Sequence, residues 1–218
     1  MKICYLANAA SVHTHKWTTY FSKKGHEVYL ISLKSTDFDY GRVKIFVLKK
    51  IKFYPRIAAH LINFLPTYLQ TKKILKEIKF DILHAIGVAG EGWLAYFSGF
   101  HPLIVTSGGS DLLINAKEFK GYALLTSLVL KNADILTCDG ENGKKAMIEL
   151  GAEPQKIKIV HFGVDVEKFK PGENSELKKR LFGENIKIIL SAKPPRKECD
   201  VETLVRAAPL ILEKIPQV

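Results

Sequence analysis

Cysteine is scarce in this 218-residue chain: only Cys4, Cys138 and Cys199 are present, far apart and odd in number. That excludes a disulfide framework, and no spacing of cysteines and histidines matches a metal-ligand set. Cys4 and Cys138 sit inside apolar runs and read as buried structural thiols. Also missing is any apolar run of roughly 18 residues, the length a membrane-spanning helix needs. The first ten residues, MKICYLANAA, carry a single lysine and a short apolar stretch. They predict a strand that begins at once rather than a leader peptide, so a cytoplasmic location is the simplest expectation. The loop after that strand, Asn8-Ala9-Ala10-Ser11-Val12-His13, contains no glycine. A dinucleotide fingerprint needs glycines there for close approach to a pyrophosphate, which argues against an NAD- or FAD-dependent enzyme. Acidic residues are nearly absent between positions 41 and 80, where ten basic residues face one acid, Glu77, within a chain of formal net charge +11.

What is present is a sequence 47% hydrophobic, enough for a sizeable core. Short apolar runs alternate with helix-like stretches. Strands are expected at Lys2–Leu6, Glu27–Ser32, Val43–Leu48, Asp81–Ala85, Leu103–Thr106, Ala133–Thr137 and Ile157–Val160. Helices are expected at His13–Lys24, closed by Gly25, and near 66–79, 117–131 and 141–150. Strands separated by helices predict an α/β fold with a doubly wound, mainly parallel, Rossmann-like sheet. In region 56–79 the apolar residues Ile57, Leu61, Phe64, Leu65, Tyr68 and Leu69 follow helical spacing, with Pro66 expected to kink the helix or start a new one. Beside Lys72, Lys73, Lys76 and Lys79 that stripe fits either a core-facing helix with a wet basic face, the preferred reading, or a helix lying on an anionic membrane surface. A polar stretch closing with Pro171-Gly172 marks a boundary. The expected organisation is a first domain at 1–170, a linker at 171–185, and a truncated second domain at 186–218, with one strand at Ile186–Ser191 and one helix at about Val201–Lys214. A lone strand and helix cannot bury both faces, so the chain is expected to be a truncated piece of a longer protein.

Open α/β sheets bind ligands at the carboxyl ends of their strands. Asn8, Ser11 and His13 follow the first strand and are candidates for hydrogen bonds to sugar hydroxyls. Ser11 is equally well placed simply to cap the helix. Gly108, Gly109, Ser110 and Asp111 follow the fifth strand, where paired glycines allow backbone N–H groups to approach a ligand. His84 ends the fourth strand and faces the same edge, although a lone histidine is more often structural.

Several of these segments resemble retaining glycosyltransferases of the GT-B fold (group 1, family 4-like). Gly25-His26-Glu27-Val28 is similar to that family's approach to the second strand, and Asp81–His84 to its Asp-x-x-His strand. Gly109-Ser110-Asp111 resembles its His-Gly-Ser-Asp loop. Most specific is Gly163-Val164-Asp165 through Phe169 and Pro171, which resembles its GVDxxxFxP signature. The resemblance implies the N-terminal half of a GT-B enzyme with the start of its second domain. Such an enzyme moves a sugar from a nucleotide-sugar to a hydroxyl of a saccharide or lipid-linked acceptor, with retention and without a metal or other cofactor. It also implies acceptor contacts from Asn8, Ser11, His13 and Gly108–Asp111, and donor-phosphate contacts from Lys193 and Lys197, with Arg196 a further candidate cation. Two departures stand out. Gly108 replaces the family's usual histidine, so no catalytic residue is assigned. Lys193 stands where the family has arginine in a Gly-Arg…Lys-Gly pattern, and a lysine supplies a point charge rather than a bidentate fork. An isolated fragment is expected to be inactive. Two other readings remain. One is a non-catalytic module for anionic lipid or nucleic acid, nucleic acid being disfavoured by the lack of a stacking array. The other is a nucleotide-sugar epimerase of the same architecture, for which Asp111 and Glu91 are the candidate bases.

Overall fold

The computed structural model describes residues 1–49, 59–115, 120–171, 175–183, 187–195 and 199–218. They fall into two compact units, Met1–Gly163 and Val164–Val218.

Seven strands carry the first unit: β1 (Lys2–Leu6), β2 (Glu27–Ser32), β3 (Lys44–Val47), β4 (Ile82–Ile86), β5 (Leu103–Thr106), β6 (Ile135–Cys138) and β7 (Ile157–Ile159). Each lies where an apolar run predicts it. Every pairing is parallel, in the order β3-β2-β1-β4-β5-β6-β7. Successive side chains alternate faces. Ile3 and Tyr5 therefore join Val28 and Leu30 in one core layer, while Cys4 and Leu6 join Ile31, Leu83, Val105 and Leu136 in another. Both Cys4 and Cys138 are buried, and burial alone pushes the Cys4 thiol up to about 12.

The connecting helices are α1 (Val12–Lys23), α2 (Ala59–Glu77), α3 (Glu91–Ser98), α4 (Lys120–Asn132) and α5 (Glu141–Glu149). Trp17 and Phe21 of α1 cover the first layer, while α2, α3 and α4 cover the second. Gly25 closes the turn after α1 at φ +88°, a conformation that favours glycine. Pro66 neither splits α2 nor starts it; the helix runs through that position. Its absent N–H falls within a helix held by tertiary contacts, and Gln70 Nε2 donates to the Pro66 carbonyl at 3.4 Å. Phe64, Tyr68, Ile74, Leu75 and Ile78 pack against the core, as the core-facing reading expects. Leu65 and Leu69 remain exposed, beside exposed Lys72, Lys73, Lys76 and Lys79. Ile57, Lys50, Lys52 and Arg56 lie outside the described residues, as do residues 117–119 of the helix expected near 117–131.

In the second unit, α6 (Ser175–Phe182) falls within the stretch read as a linker, and α7 (Val201–Lys214) matches the expected helix. The strand expected at Ile186–Ser191 is not formed among the described residues 187–191. Lys187 N–H donates to the Gln217 carbonyl at 2.7 Å, but a β-rich segment forms no ladder without a neighbouring strand. Ile188, Ile189 and Leu190 are exposed. Among the described residues, no helix is long and apolar enough to cross a membrane.

Candidate functional site at the carboxyl edge of the sheet

The strand order reverses direction between β1 and β4. At such a switch point the loops leaving adjacent strands diverge to opposite faces and open a crevice. The loops after β1, β2, β4, β5 and β6 all leave the same edge, because every strand is parallel. The structure therefore brings Asn8, Ser11, His13 and Gly108–Asp111 to one end of the unit.

The β1 loop is held rigidly. Asn8 Oδ1 accepts from Ala10 N–H at 3.0 Å, its carbonyl accepts from Ser11 N–H at 3.0 Å, and Ser32 Oγ accepts from Ala9 N–H at 2.9 Å. From the β2–β3 connection the buried Tyr40 hydroxyl donates to the Ala9 carbonyl at 2.7 Å. Ser11 occupies the N-cap position of α1, yet its side chain makes no cap hydrogen bond. Of its two expected roles, capping is not taken up by the hydroxyl, and the group stays half-buried at the crevice. His13 is exposed and packs on Phe162, ring centroids 4.1 Å apart. Nearby, Lys16 Nζ donates to the Gly163 carbonyl at 2.9 Å. The segment after β7 thus lies against the start of α1.

The β5 loop differs from a simple open glycine turn. Asp111 is buried, and it begins a short π-helical turn, Asp111–Asn115. Its Oδ1 accepts from Ser107 Oγ at 2.8 Å and Leu112 N–H at 3.1 Å, and its Oδ2 from Val88 N–H at 2.8 Å and Gly108 N–H at 3.4 Å. The carboxylate is turned inward and clamps the β4 and β5 loops together, so it fixes the loop rather than reaching for a ligand. Gly109, at φ +97°, makes the turn, and Ser110 is exposed. A Cβ on Gly108 would meet nothing within 4 Å. The position where the resemblance implies a histidine is open space here.

His84 does not face the edge. It sits mid-strand, 2% exposed, between the Tyr5 and Trp17 rings at 5.0 and 5.1 Å. Its Nε2 lies 2.7 Å from Thr106 Oγ1, which lies 2.6 Å from Thr137 Oγ1, a buried chain of polar groups running across three strands. Burial lowers its pKa to about 3, so the ring is neutral and structural.

The β4 loop holds Glu91, the candidate base of the epimerase reading, within Gly87-Val88-Ala89-Gly90-Glu91-Gly92, whose glycine spacing is legible in the sequence. Gly87 and Gly90 have φ +121° and +68°. A Cβ on Gly92 would stand 2.9 Å from the Gly87 carbonyl oxygen, and one on Gly87 would stand 3.1 Å from Glu91 Oε2. The loop folds tightly enough to seat the Glu91 carboxyl group over Gly87. Burial raises that group to about 7; its own backbone N–H and Lys34 counteract the rise, while Asp111 adds to it. A carboxyl group raised in this way by burial, at the carboxyl edge of the sheet, is a candidate functional position.

The donor-side candidates are less informative. Lys193 is exposed in the second unit, and Lys197 and Arg196 lie outside the described residues.

Comparison with known proteins agrees with this architecture. A family model described as Glycosyl transferase 4-like matches residues 2–140. A D-inositol 3-phosphate glycosyltransferase of Kribbella flavida is 27% identical over 174 residues, covering 74% of this chain and 41% of that protein. The Mycobacterium ulcerans protein of the same description is 31% identical over 112 residues, 47% of this chain and 24% of its own length. The chain thus spans less than half the length of these relatives. Among solved structures, Anabaena HepE in complex with UDP and glucose superposes with a TM-score of 0.71 at 16% identity, over 95% of this chain and 57% of that one. At that identity the likeness shows a shared fold.

Proposed function

The chain belongs to the glycosyl transferase 4-like family, and from that premise we propose that it is the acceptor-binding half of a retaining glycosyltransferase, joined to the opening segment of the donor-binding half. The enzyme it represents moves a sugar, of hexose type, from a nucleotide-sugar to a hydroxyl of a saccharide or lipid-linked acceptor, with no metal taking part. The observation that carries this reading is the convergence of the β1, β4 and β5 loops on one crevice at the switch point, with the Phe162–Gly163 segment laid against α1 beside it. The Ser11 hydroxyl, the Ser110 side chain and the N–H groups around Gly108 and Gly109 supply hydrogen bonds to sugar hydroxyls. HepE was solved with UDP and with glucose, and by analogy UDP-glucose is the first donor to try. Lys193, and Lys197 beyond it, supply positive charge for the leaving diphosphate.

In this reading the protein works in the cytoplasm at a membrane face. Leu65 and Leu69 are exposed beside Lys72, Lys73, Lys76 and Lys79, and Phe97 of α3 is exposed next to Tyr68. Exposed apolar side chains flanked by lysines favour an anionic lipid surface.

Isotope-edited NMR titration tests the proposal. Neutral saccharides and short lipid-linked sugars should shift the backbone signals of Asn8, Ser11 and Gly108–Ser110. Shifts confined to the opposite edge of the sheet, or none across the panel, refute it. The chain by itself should show no turnover with UDP-glucose, since a closed two-domain cleft is needed to exclude water.

A further inference from the structure

The crevice and the basic surface are at different places on the first unit. Four of the ten basic residues between positions 41 and 80 stand on β3 and on α2. Lys44 opens β3, and Lys72, Lys73 and Lys76 lie toward the carboxyl end of α2, which leads back to the start of β4. Both positions belong to the amino side of a sheet whose strands all run one way. The carboxyl edge also carries fixed carboxyl groups. Glu91 sits over Gly87, Asp111 lies beneath it in the β5 loop, and Asp139 Oδ1 accepts from Phe162 N–H at 3.0 Å. Among the described residues the cations at that edge include Lys34, close enough to act on Glu91, Lys16, which donates to the Gly163 carbonyl, Lys49 just past the end of β3, and Lys144, which acts on Cys138 at the end of β6.

Resting on the acceptor reading above, we propose that Glu91 is the hydroxyl-binding group of this crevice, and that it selects an uncharged saccharide or polyol over a phosphorylated one. Three features carry the assignment. Glu91 is the first residue of α3 and is half-buried, with its carboxyl group beside Gly87 rather than free in solvent. Among the described residues it has no ion-pair partner, whereas Asp111 beside it has all its acceptor capacity used by four donors. The glycine at position 87 leaves the space the carboxyl group occupies, which a side chain there would crowd at 3.1 Å. A carboxyl group so placed accepts from a sugar hydroxyl when ionised and can also donate when protonated. A phosphate dianion brought to the same place meets Glu91 and Asp111 with Lys34 as the one opposing charge acting on Glu91, and like charges in a partly desolvated site repel strongly. α4 approaches this loop through Val129, which adds no charge. Since burial holds the Glu91 proton to about pH 7, the discrimination should grow as the pH rises from 6 to 8.

The test is a titration of the chain with glucose, mannose and maltose and with the 6-phosphates of glucose and mannose, at pH 6 and pH 8, followed by backbone NMR shifts. Three proteins are compared: wild type, Glu91→Gln and Glu91→Ala. The wild type should bind the uncharged sugar of each pair at least about tenfold more tightly at pH 8, and Glu91→Ala should lose about tenfold of that affinity, the worth of one hydrogen bond to a charged group. Glu91→Gln, which keeps the shape but does not titrate, should retain the uncharged sugar and show a smaller rise of discrimination between pH 6 and pH 8 than the wild type, leaving only the part due to the phosphate's own second ionisation at about pH 6. Equal or tighter binding of the phosphorylated sugars overturns the inference. So does unchanged affinity and unchanged discrimination in both variants, each shown folded by its melting curve. Those results leave the acceptor reading standing. Absence of any sugar-induced shift at the carboxyl edge removes both.

Discussion

Replacing Glu91 by glutamine should stabilise the first unit in a pH-dependent way. The folded carboxyl group holds its proton to about pH 7, whereas its ordinary value is 4.5. Between those two values the unfolded chain has released the proton and the folded chain has not. The folded state then binds more protons, so stability falls as pH rises through this window. At about 1.4 kcal/mol per pH unit, that gap sets a ceiling of about 3 kcal/mol. The side chain is half-buried rather than sealed, so water will screen part of the effect. A loss of about 2 kcal/mol between pH 5 and pH 8 is the working figure. Glutamine carries no charge at either pH and escapes this loss. Urea unfolding read by tryptophan fluorescence is a suitable assay, because Trp17 and Trp93 are the chain's two tryptophans and both belong to the first unit. The difference between variant and wild type should be small at pH 5 and should favour the variant by about 2 kcal/mol at pH 8. Taking the difference cancels other titrating groups. A gap that does not change with pH, or a wild type more stable than the variant at pH 8, would refute the placement of this carboxyl group.

Three further outcomes follow from the same geometry. Ser11→Ala should change the urea midpoint by less than about 0.5 kcal/mol, in contrast with the roughly 1 kcal/mol typical of a working cap; a larger loss would mean the hydroxyl does cap α1 in solution. Asp111→Ala strips the acceptor from four donors and should destabilise the unit by about 3 kcal/mol, measured by the same unfolding curves, with broadened NMR signals in both the 87–92 and 107–111 loops. Vesicles containing about one-third anionic lipid should carry the chain in flotation, neutral vesicles should not, and changing Lys72, Lys73 and Lys76 to glutamate should abolish the binding; equal flotation with both lipids would disprove the electrostatic component.

The sheet was legible because its seven strands are short apolar runs set between polar segments, and parallel pairing leaves their order to be worked out by crossover rules. The glycine spacing of 87–92 was equally visible, but α3 was not expected. Its eight residues, Glu91–Ser98, follow two glycines and include Trp93, Tyr96 and Phe97, a composition without strong helical preference. Packing of Gly92 on the Gly87 carbonyl decides the matter, and only the tertiary fold reveals that contact. Asp111 and His84 show the same limit for side chains. Asp111 does follow the fifth strand, whereas His84 sits in the middle of β4 rather than at its end, and whether each group points to the edge or inward depends on partners distant in sequence: Val88 for Asp111, and Trp17 and Thr106 for His84. The expected strand at 186–191 shows the reverse problem, since composition favours a conformation that needs a neighbour to exist.

The strongest constraint on ligand chemistry is therefore the location of charge, which composition alone misstates. A net charge of +11 invites a search for anionic ligands over the entire surface. In the fold, that excess divides. Screening at physiological salt limits each charge to about 8 Å, so lysines at the amino side of a sheet do little for a ligand held at its carboxyl edge. There the local groups decide, and Glu91 and Asp111 are the carboxyl groups fixed beside the β4 and β5 loops. Asp111 is fastened by hydrogen bonds from two loops, and Glu91 is seated by a glycine. A basic protein can thus hold fixed carboxyl groups beside its candidate site, and the two places suit different partners: an anionic lipid face for the lysines of α2, and a neutral hydroxyl for the carboxyl group at the head of α3.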